Sequence, residues 1–180
     1  EKEILCGMAE IVKHAAIGNT DLFAFLEEHY QKALALDVGV IEKLIYDSIV
    51  IKSAIVNRDE KEKGERRKLN FGHTFGHAIE KTIGVSHGEA VSVGMVMASA
   101  LSVNRGRLIA QDAERIKKLL KKLKLPTRLQ LDRKTVLDAM QKDKKRKGES
   151  IYFVLLNNIG NPFVDQISIK ELEAALHDLC

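Results

Sequence analysis

Three histidines fall within fifteen positions, His73, His77 and His87, beside carboxylates at Glu80 and Glu89 and among glycines at 72, 76, 84, 88 and 94. His73 and His77 stand four apart in a stretch that continues AIEKTIG, so on a helix both rings project from one face. Such a pair can grip a zinc-like ion, and a catalytic zinc centre needs three protein ligands with one position left open. His87 follows a break at Gly84 and opens the next segment, from where it can turn back towards the first two rings. The competing reading makes all three rings helix-surface or cap residues. Their crowding in a glycine-rich setting argues for a site.

The wording around these residues is specific. Asn70-Phe71-Gly72-His73-Thr74-Phe75-Gly76-His77-Ala78-Ile79-Glu80, then His87-Gly88-Glu89-Ala90-Val91 and Gly94-Met95, resembles the metal-binding core of the 3-dehydroquinate synthase family. Gly7-Met8-Ala9-Glu10-Ile11-Val12-Lys13 upstream and Asp143-Lys144-Lys145 downstream extend the resemblance in the family's order. It implies that Glu10, His73 and His87 are the metal ligands, for Zn2+ or Co2+. That departs from simple spacing, because His77 becomes a group over the substrate near its phosphate. The resemblance further implies catalytic roles for His77, Lys13 and Lys52, and substrate binding by Arg66, Asn70, Lys144 and Lys145. Arg66 is chosen by its place four residues before Asn70, with Arg67 and Lys68 adjacent; between Lys144 and Lys145 the choice stays open.

The implied activity is that of an NAD- and metal-dependent carbon–oxygen lyase of the shikimate pathway, on the route to aromatic amino acids. It would convert 3-deoxy-arabino-heptulosonate 7-phosphate to 3-dehydroquinate and phosphate by transient oxidation, phosphate loss, re-reduction and aldol closure. The resemblance implies that NAD sits mainly on an N-terminal α/β domain lacking here; the sequence itself shows no GxGxxG after a strand and no alternation of strands and helices. Residues 1–180 therefore read as one helical metal- and substrate-binding domain, inactive alone, from a cytoplasmic enzyme that is a homodimer at full length. Rival readings are another sugar phosphate cyclase, of 2-deoxy-scyllo-inosose or valiolone type, a metal-dependent polyol dehydrogenase domain, and a non-catalytic helical scaffold. A dehydrogenase eliminates no phosphate, so the set Arg66, Asn70, His77 and Asp143-Lys144-Lys145 favours a cyclase. Lys13 and Lys52 remain to meet a carboxylate that the rival sugar phosphates lack.

Composition fits this picture. The 180 residues are 45% hydrophobic and 30% charged, enough for one domain with a real core. The net charge of +4 is concentrated in 115–124 and 142–147, yet aromatics make up only 5% and no nucleic-acid motif occurs, so nucleic acid is not an expected partner. Cys6 and Cys180 sit at opposite ends without a CxxC, which leaves no basis for disulfide or thiolate–metal chemistry. The apolar run from Ala90 to Leu101 is too short to span a membrane.

The elements that must position the site follow from periodicity. Ile4, Leu5, Met8, Ile11, Val12 and Ala15 mark a first amphipathic helix ended by Gly18, with Glu10 and Lys13 near neighbours on it that spacing alone reads as an ordinary exposed ion pair and the resemblance as site residues. Thr20 as cap and Asp21 as first-turn carboxylate are expected to start a second helix, on which His29 should face solvent. The longest helix is expected from Asp37 to the charged end at 59–63, stopped by Gly64, with Lys52 interrupting an apolar neighbourhood. After the histidine segment, small residues from Ala90 to Ala100 suit a central, closely packed helix. A helix from Gln111 to Leu123 stops before Pro126, and Asp132 caps a short one through Met140. Ser150–Leu156, a turn at 157–162 and Phe163-Val164 read as a β-hairpin, and Ser168 with Glu171 as a capping box on a final helix. The expected fold is mainly α, a multi-helix domain with a small β-hairpin near the C-terminus.

Overall fold

The structure of the chain, a computed structural model, describes residues 2–60, 64–141, 146–147 and 150–179. The chain runs α1 (Lys2–Gly18), α2 (Thr20–Leu34), α3 (Val38–Arg58), a 3-10 turn (Glu65–Asn70), α4 (His73–Ile83), α5 (His87–Asn104), α6 (Ala110–Lys122) and α7 (Arg133–Gln141). Then come β1 (Arg146–Lys147), β2 (Ser150–Asn158), β3 (Asn161–Ser168) and α8 (Ile169–Leu179). The mainly helical architecture with a late β-hairpin is therefore as the periodicity predicts.

The organising element is α5. Its sequence is apolar or small all round, which is what a helix buried on every side requires, and twelve of its eighteen residues are buried. Val91, Met95 and Ala98 belong to a core shared with α1, α2, α3 and α6. Ala90, Val93, Met97 and Leu101 face a second core with α4, α7, β2, β3 and α8. Its buried hydroxyls are all satisfied: Ser99 and Ser102 donate to the Met95 and Ala98 carbonyls at 2.8 and 2.7 Å, Ser92 donates to the Pro126 carbonyl at 2.7 Å, and Ser102 Oγ accepts the Leu156 amide at 3.1 Å. That last bond ties the hairpin to the central helix.

Glycine sets how closely α4, α5 and α1 approach. A side chain on Gly94 would run into the Gly72 carbonyl, and one on Gly88 would meet the Cys6 Cα at 2.5 Å. Gly72 also takes φ +77° to turn the chain into α4, a conformation costly for any residue with a Cβ. The glycine density of the motif is thus the condition for bringing three helices within backbone contact.

Several local expectations change. The cap of α2 is Asn19, whose side chain accepts the Asp21 and Leu22 amides at 2.8 and 3.0 Å, so Thr20 is the first helical residue. His29 is half-buried rather than solvent-facing: its ring stacks on Phe25 with centroids 4.2 Å apart, and Nδ1 lies 3.0 Å from the Phe25 carbonyl at a kink in α2. The hairpin gains a third strand, giving the antiparallel order β1-β2-β3 with Ile151 opposite Ile167. A charged two-residue strand such as Arg146-Lys147 carries no strand propensity to read. The capping box on α8 is half made: Ser168 Oγ accepts the Glu171 amide at 3.2 Å, but the Glu171 carboxylate instead receives the Arg105 fork at 2.6 and 2.9 Å. A full capping box occurs at the start of α5, where the Ser86 side chain accepts the Glu89 amide and Glu89 Oε2 accepts the Ser86 amide at 3.0 Å. That cap fixes the turn from which His87 projects.

Candidate metal centre

Glu10 comes from α1, His73 from the first turn of α4 and His87 from the first turn of α5. One ligand atom from each lies within 4.8 Å of the others. Glu10 Oε1 stands 3.6 Å from His73 Nε2 and 3.7 Å from His87 Nε2, and it is buried without a hydrogen-bond partner among the described residues. A buried carboxylate oxygen left unpaired costs free energy unless a cation or donor meets it. Here the unpaired atom faces two imidazoles, which is the donor chemistry of a zinc or cobalt site.

The neighbours orient these donors. His73 Nδ1 lies 3.2 Å from the Phe71 carbonyl, so its N–H is held there and the Nε2 lone pair is left for the centre. His87 Nδ1 lies 3.3 Å from Glu80 Oε2, a carboxylate–histidine pair of the kind that fixes tautomer and ring orientation at metal sites. Lys13 Nζ donates to Glu10 Oε2 at 2.6 Å, directing the other oxygen inward.

Electrostatics keep Glu10 and His73 in their ligating states. Burial alone would push the Glu10 carboxyl up, but the Lys13 ammonium, close and hydrogen-bonded, holds it below the usual value. Burial, and then the Lys13 charge, push His73 down to about 3, so its ring stays neutral at ordinary pH. Lys13 itself is only 4% exposed, and burial lowers its ammonium while Glu10 opposes that shift. The Glu10–Lys13 pair is therefore no ordinary surface ion pair.

The remaining sequence candidates distribute as follows. His77 stands over the cluster without joining it: its ring lies 5.4 Å from that of His73 and 6.3 Å from that of His87, and it is not among the converging ligand atoms. Lys52 is exposed on α3, close enough that its charge weighs on Lys13 and His14. In the Arg66-Arg67-Lys68 run, Arg67 lies over the Tyr152 ring at 4.3 Å and Lys68 pairs with Glu65 at 2.8 Å. Among the described residues Arg66 makes one side-chain bond, to the Glu60 carbonyl at 3.2 Å, and pairs with no carboxylate or ring. Asn70 ends the 3-10 turn, half-buried beside Gly72 and Thr74. Lys144 and Lys145 lie outside the described residues.

Two participants escaped the sequence reading. Glu80 was visible as a carboxylate on one helix with His73 and His77, but its partner His87 belongs to another helix. His14, one turn after Glu10, is 5% exposed and its Nδ1 lies 2.6 Å from Ser48 Oγ on α3. The four-residue spacing from Glu10 was the available signal.

Fold and cluster together define a helical domain built around a two-histidine, one-carboxylate centre. The same fold occurs in 2-epi-5-epi-valiolone synthase from Streptomyces hygroscopicus subsp. jinggangensis 5008, solved with NAD+ and Zn2+ bound, with a TM-score of 0.83 and 26% identity over 98% of this chain and 51% of that one. It occurs equally in 2-deoxy-scyllo-inosose synthase complexed with carbaglucose-6-phosphate, NAD+ and Co2+, with a TM-score of 0.84 and 25% identity over 98% of this chain and 52% of that one. The 3-dehydroquinate synthase of Pseudoalteromonas translucida (strain TAC 125) is 40% identical over 97% of this chain and 51% of its own length. The chain belongs to the 3-dehydroquinate synthase C-terminal family, whose profile matches residues 7–146. It spans about half the length of the curated relatives it matches.

Proposed function

We propose that this chain is the metal- and substrate-binding half of a 3-dehydroquinate synthase, acting on 3-deoxy-arabino-heptulosonate 7-phosphate with NAD held mainly by a domain outside it. The observation that carries the reading is the unpaired Glu10 Oε1 between His73 Nε2 and His87 Nε2, in a chain of this family. The 40% identity to a 3-dehydroquinate synthase, against 25–26% to the two solved cyclases of other substrates, supports this substrate over theirs.

A zinc or cobalt ion held by Glu10, His73 and His87 supplies Lewis-acid polarisation of substrate hydroxyls. The chain's own groups do the rest. Phe71 and Glu80 hold the outer nitrogens of the two imidazoles, and Lys13 holds the outer oxygen of Glu10. With Lys13 largely occupied by Glu10, its charge acts at short range on whatever anion lies beside the carboxylate, and Lys52 extends that positive wall from α3. These two cations are assigned to the substrate carboxylate. Arg66, Asn70, His77 and Lys144 or Lys145 are assigned to the phosphate, where fixed donors and cations favour its departure. The whole enzyme is read as a cytoplasmic homodimer; among the described residues no helix is long and apolar enough to cross a membrane.

The test has two parts. Metal analysis of the chain should find about one zinc, lost in His87→Ala and retained in His77→Ala. The complete enzyme, supplied with NAD and zinc, should release phosphate from 3-deoxy-arabino-heptulosonate 7-phosphate in preference to glucose 6-phosphate or sedoheptulose 7-phosphate. Preference for either rival would replace the substrate, and full zinc occupancy in His87→Ala would sink the ligand set. The chain by itself should show neither turnover nor tight NAD binding.

A further inference from the structure

Of the 21 residues of α3, only Val40, Leu44, Ser48 and Ile51 are buried. Its outer face leaves Ile45, Tyr46, Ile49 and Val50 exposed, so the helix is held along one narrow stripe. On that stripe sits Ser48, whose Oγ lies 2.6 Å from Nδ1 of His14, a fully internal hydrogen bond between α3 and α1. Each partner is one helical turn from a residue of the proposed site. His14 follows Glu10 by four positions and is adjacent to Lys13; Ser48 precedes Lys52 by four. Hydrophobic contact between these helices is non-directional and lets one slide on the other, whereas a buried hydrogen bond fixes a register because leaving either group unpaired is costly.

We infer that His14 is a positioning residue: through Ser48 it sets α3 against α1 so that Lys52 lies beside Lys13 and the Glu10–His73–His87 centre. This role rests on the reading above in giving Lys52 a substrate contact, but the clamp itself does not. The imidazole suits the place for a second reason. Burial, and then the charges of Lys13 and Lys52 against the favourable pull of Glu10, push His14 down to about 4, so it bonds Ser48 without adding a third positive charge between two lysines. Phenylalanine would fill the volume without the bond, while asparagine can return a polar atom near the Nδ1 position.

Two measurements separate the clamp from the reaction. In amide hydrogen exchange on the zinc-loaded chain, His14→Phe and Ser48→Ala should each speed exchange across 44–56 of α3 by about ten-fold, and His14→Asn should restore most of the protection. Unchanged exchange in both deletions overturns the clamp, whatever the enzyme catalyses. In the complete enzyme, His14→Phe should raise KM for 3-deoxy-arabino-heptulosonate 7-phosphate by about ten-fold with kcat within about two-fold and zinc content unchanged. On a Lys52→Ala background the same substitution should add nothing, because the group it positions is gone. A penalty that persists in full on that background overturns the action through Lys52. If the wild-type enzyme does not turn over this substrate, the functional reading fails and the exchange measurement alone decides the clamp.

Discussion

Gly88 lies next to the proposed ligand His87, at the point where α5 meets α1 one turn before Glu10, and Gly88→Ala tests whether backbone contact spaces the proposed metal ligands. An alanine Cβ there would sit 2.5 Å from the Cys6 Cα and 3.1 Å from the Cys6 nitrogen, both on α1, where ordinary contact begins at 3.4 Å. The two helices must therefore part by 0.9 Å, the difference between 3.4 and 2.5 Å. The closest obstructing atom is main chain, so although the Cys6 Sγ, 3.0 Å away, can swing aside, the Cα cannot. Metal–ligand distances tolerate only about 0.2 Å, and Glu10 and His87 are carried on the two helices being separated. Overpacking of this kind costs about 2 kcal/mol after allowing for the better helix propensity of alanine, or about 4–8 °C in Tm for a domain of this size. Zinc affinity should fall by about 10–100-fold, the loss typical when ligand placement is disturbed. Chelator competition gives the affinity and a circular-dichroism melt gives the stability. Gly7→Ala is the control, since a Cβ at that α1 position meets nothing within 4 Å. Wild-type zinc affinity in Gly88→Ala would refute the argument that the α1–α5 contact sets the ligand spacing.

Three further outcomes are expected. Glu80→Gln should weaken zinc binding by about 10–100-fold with the melting temperature nearly unchanged, because Glu80 acts on His87 orientation and not on the core. The metal-free chain should lose stability as pH falls from 6.5 towards 4: the unfolded chain protonates His14 at its ordinary value of 6.5, the folded chain only near 4, so the unfolded state takes up more protons in that window. His14 contributes about 3 kcal/mol of this loss, so in denaturant titrations at pH 7 and pH 4.5 His14→Phe should shrink the drop by about that much, while a remainder persists from His73, which burial holds down to about 3. Glu171→Ala should cost about 1–2 kcal/mol through loss of the Arg105 fork, seen as a lower Tm that persists when Arg105 is intact but disappears as an increment on an Arg105→Ala background.

Periodicity in the sequence determined the helices because burying one apolar stripe constrains residues only three and four apart. The candidate centre came from a different source, a family resemblance carried by three separate segments, which implied Glu10, His73 and His87. What spacing alone favoured, the pair His73 and His77, is a within-helix relation. The converging atoms instead come from α1, α4 and α5, and that choice belongs to how those helices pack. For the same reason Glu171 looked like a cap from its local spacing but turns to Arg105, sixty-six residues away. His29 looked exposed among charged neighbours but stacks on Phe25 where the helix kinks. His14 and Ser48, thirty-four residues apart, gave no joint signal at all. Local free energies are written in short stretches of chain; hydrogen bonds and ligand sets between elements depend on distances that only the packed helices, brought together at Gly72, Gly88 and Gly94, decide.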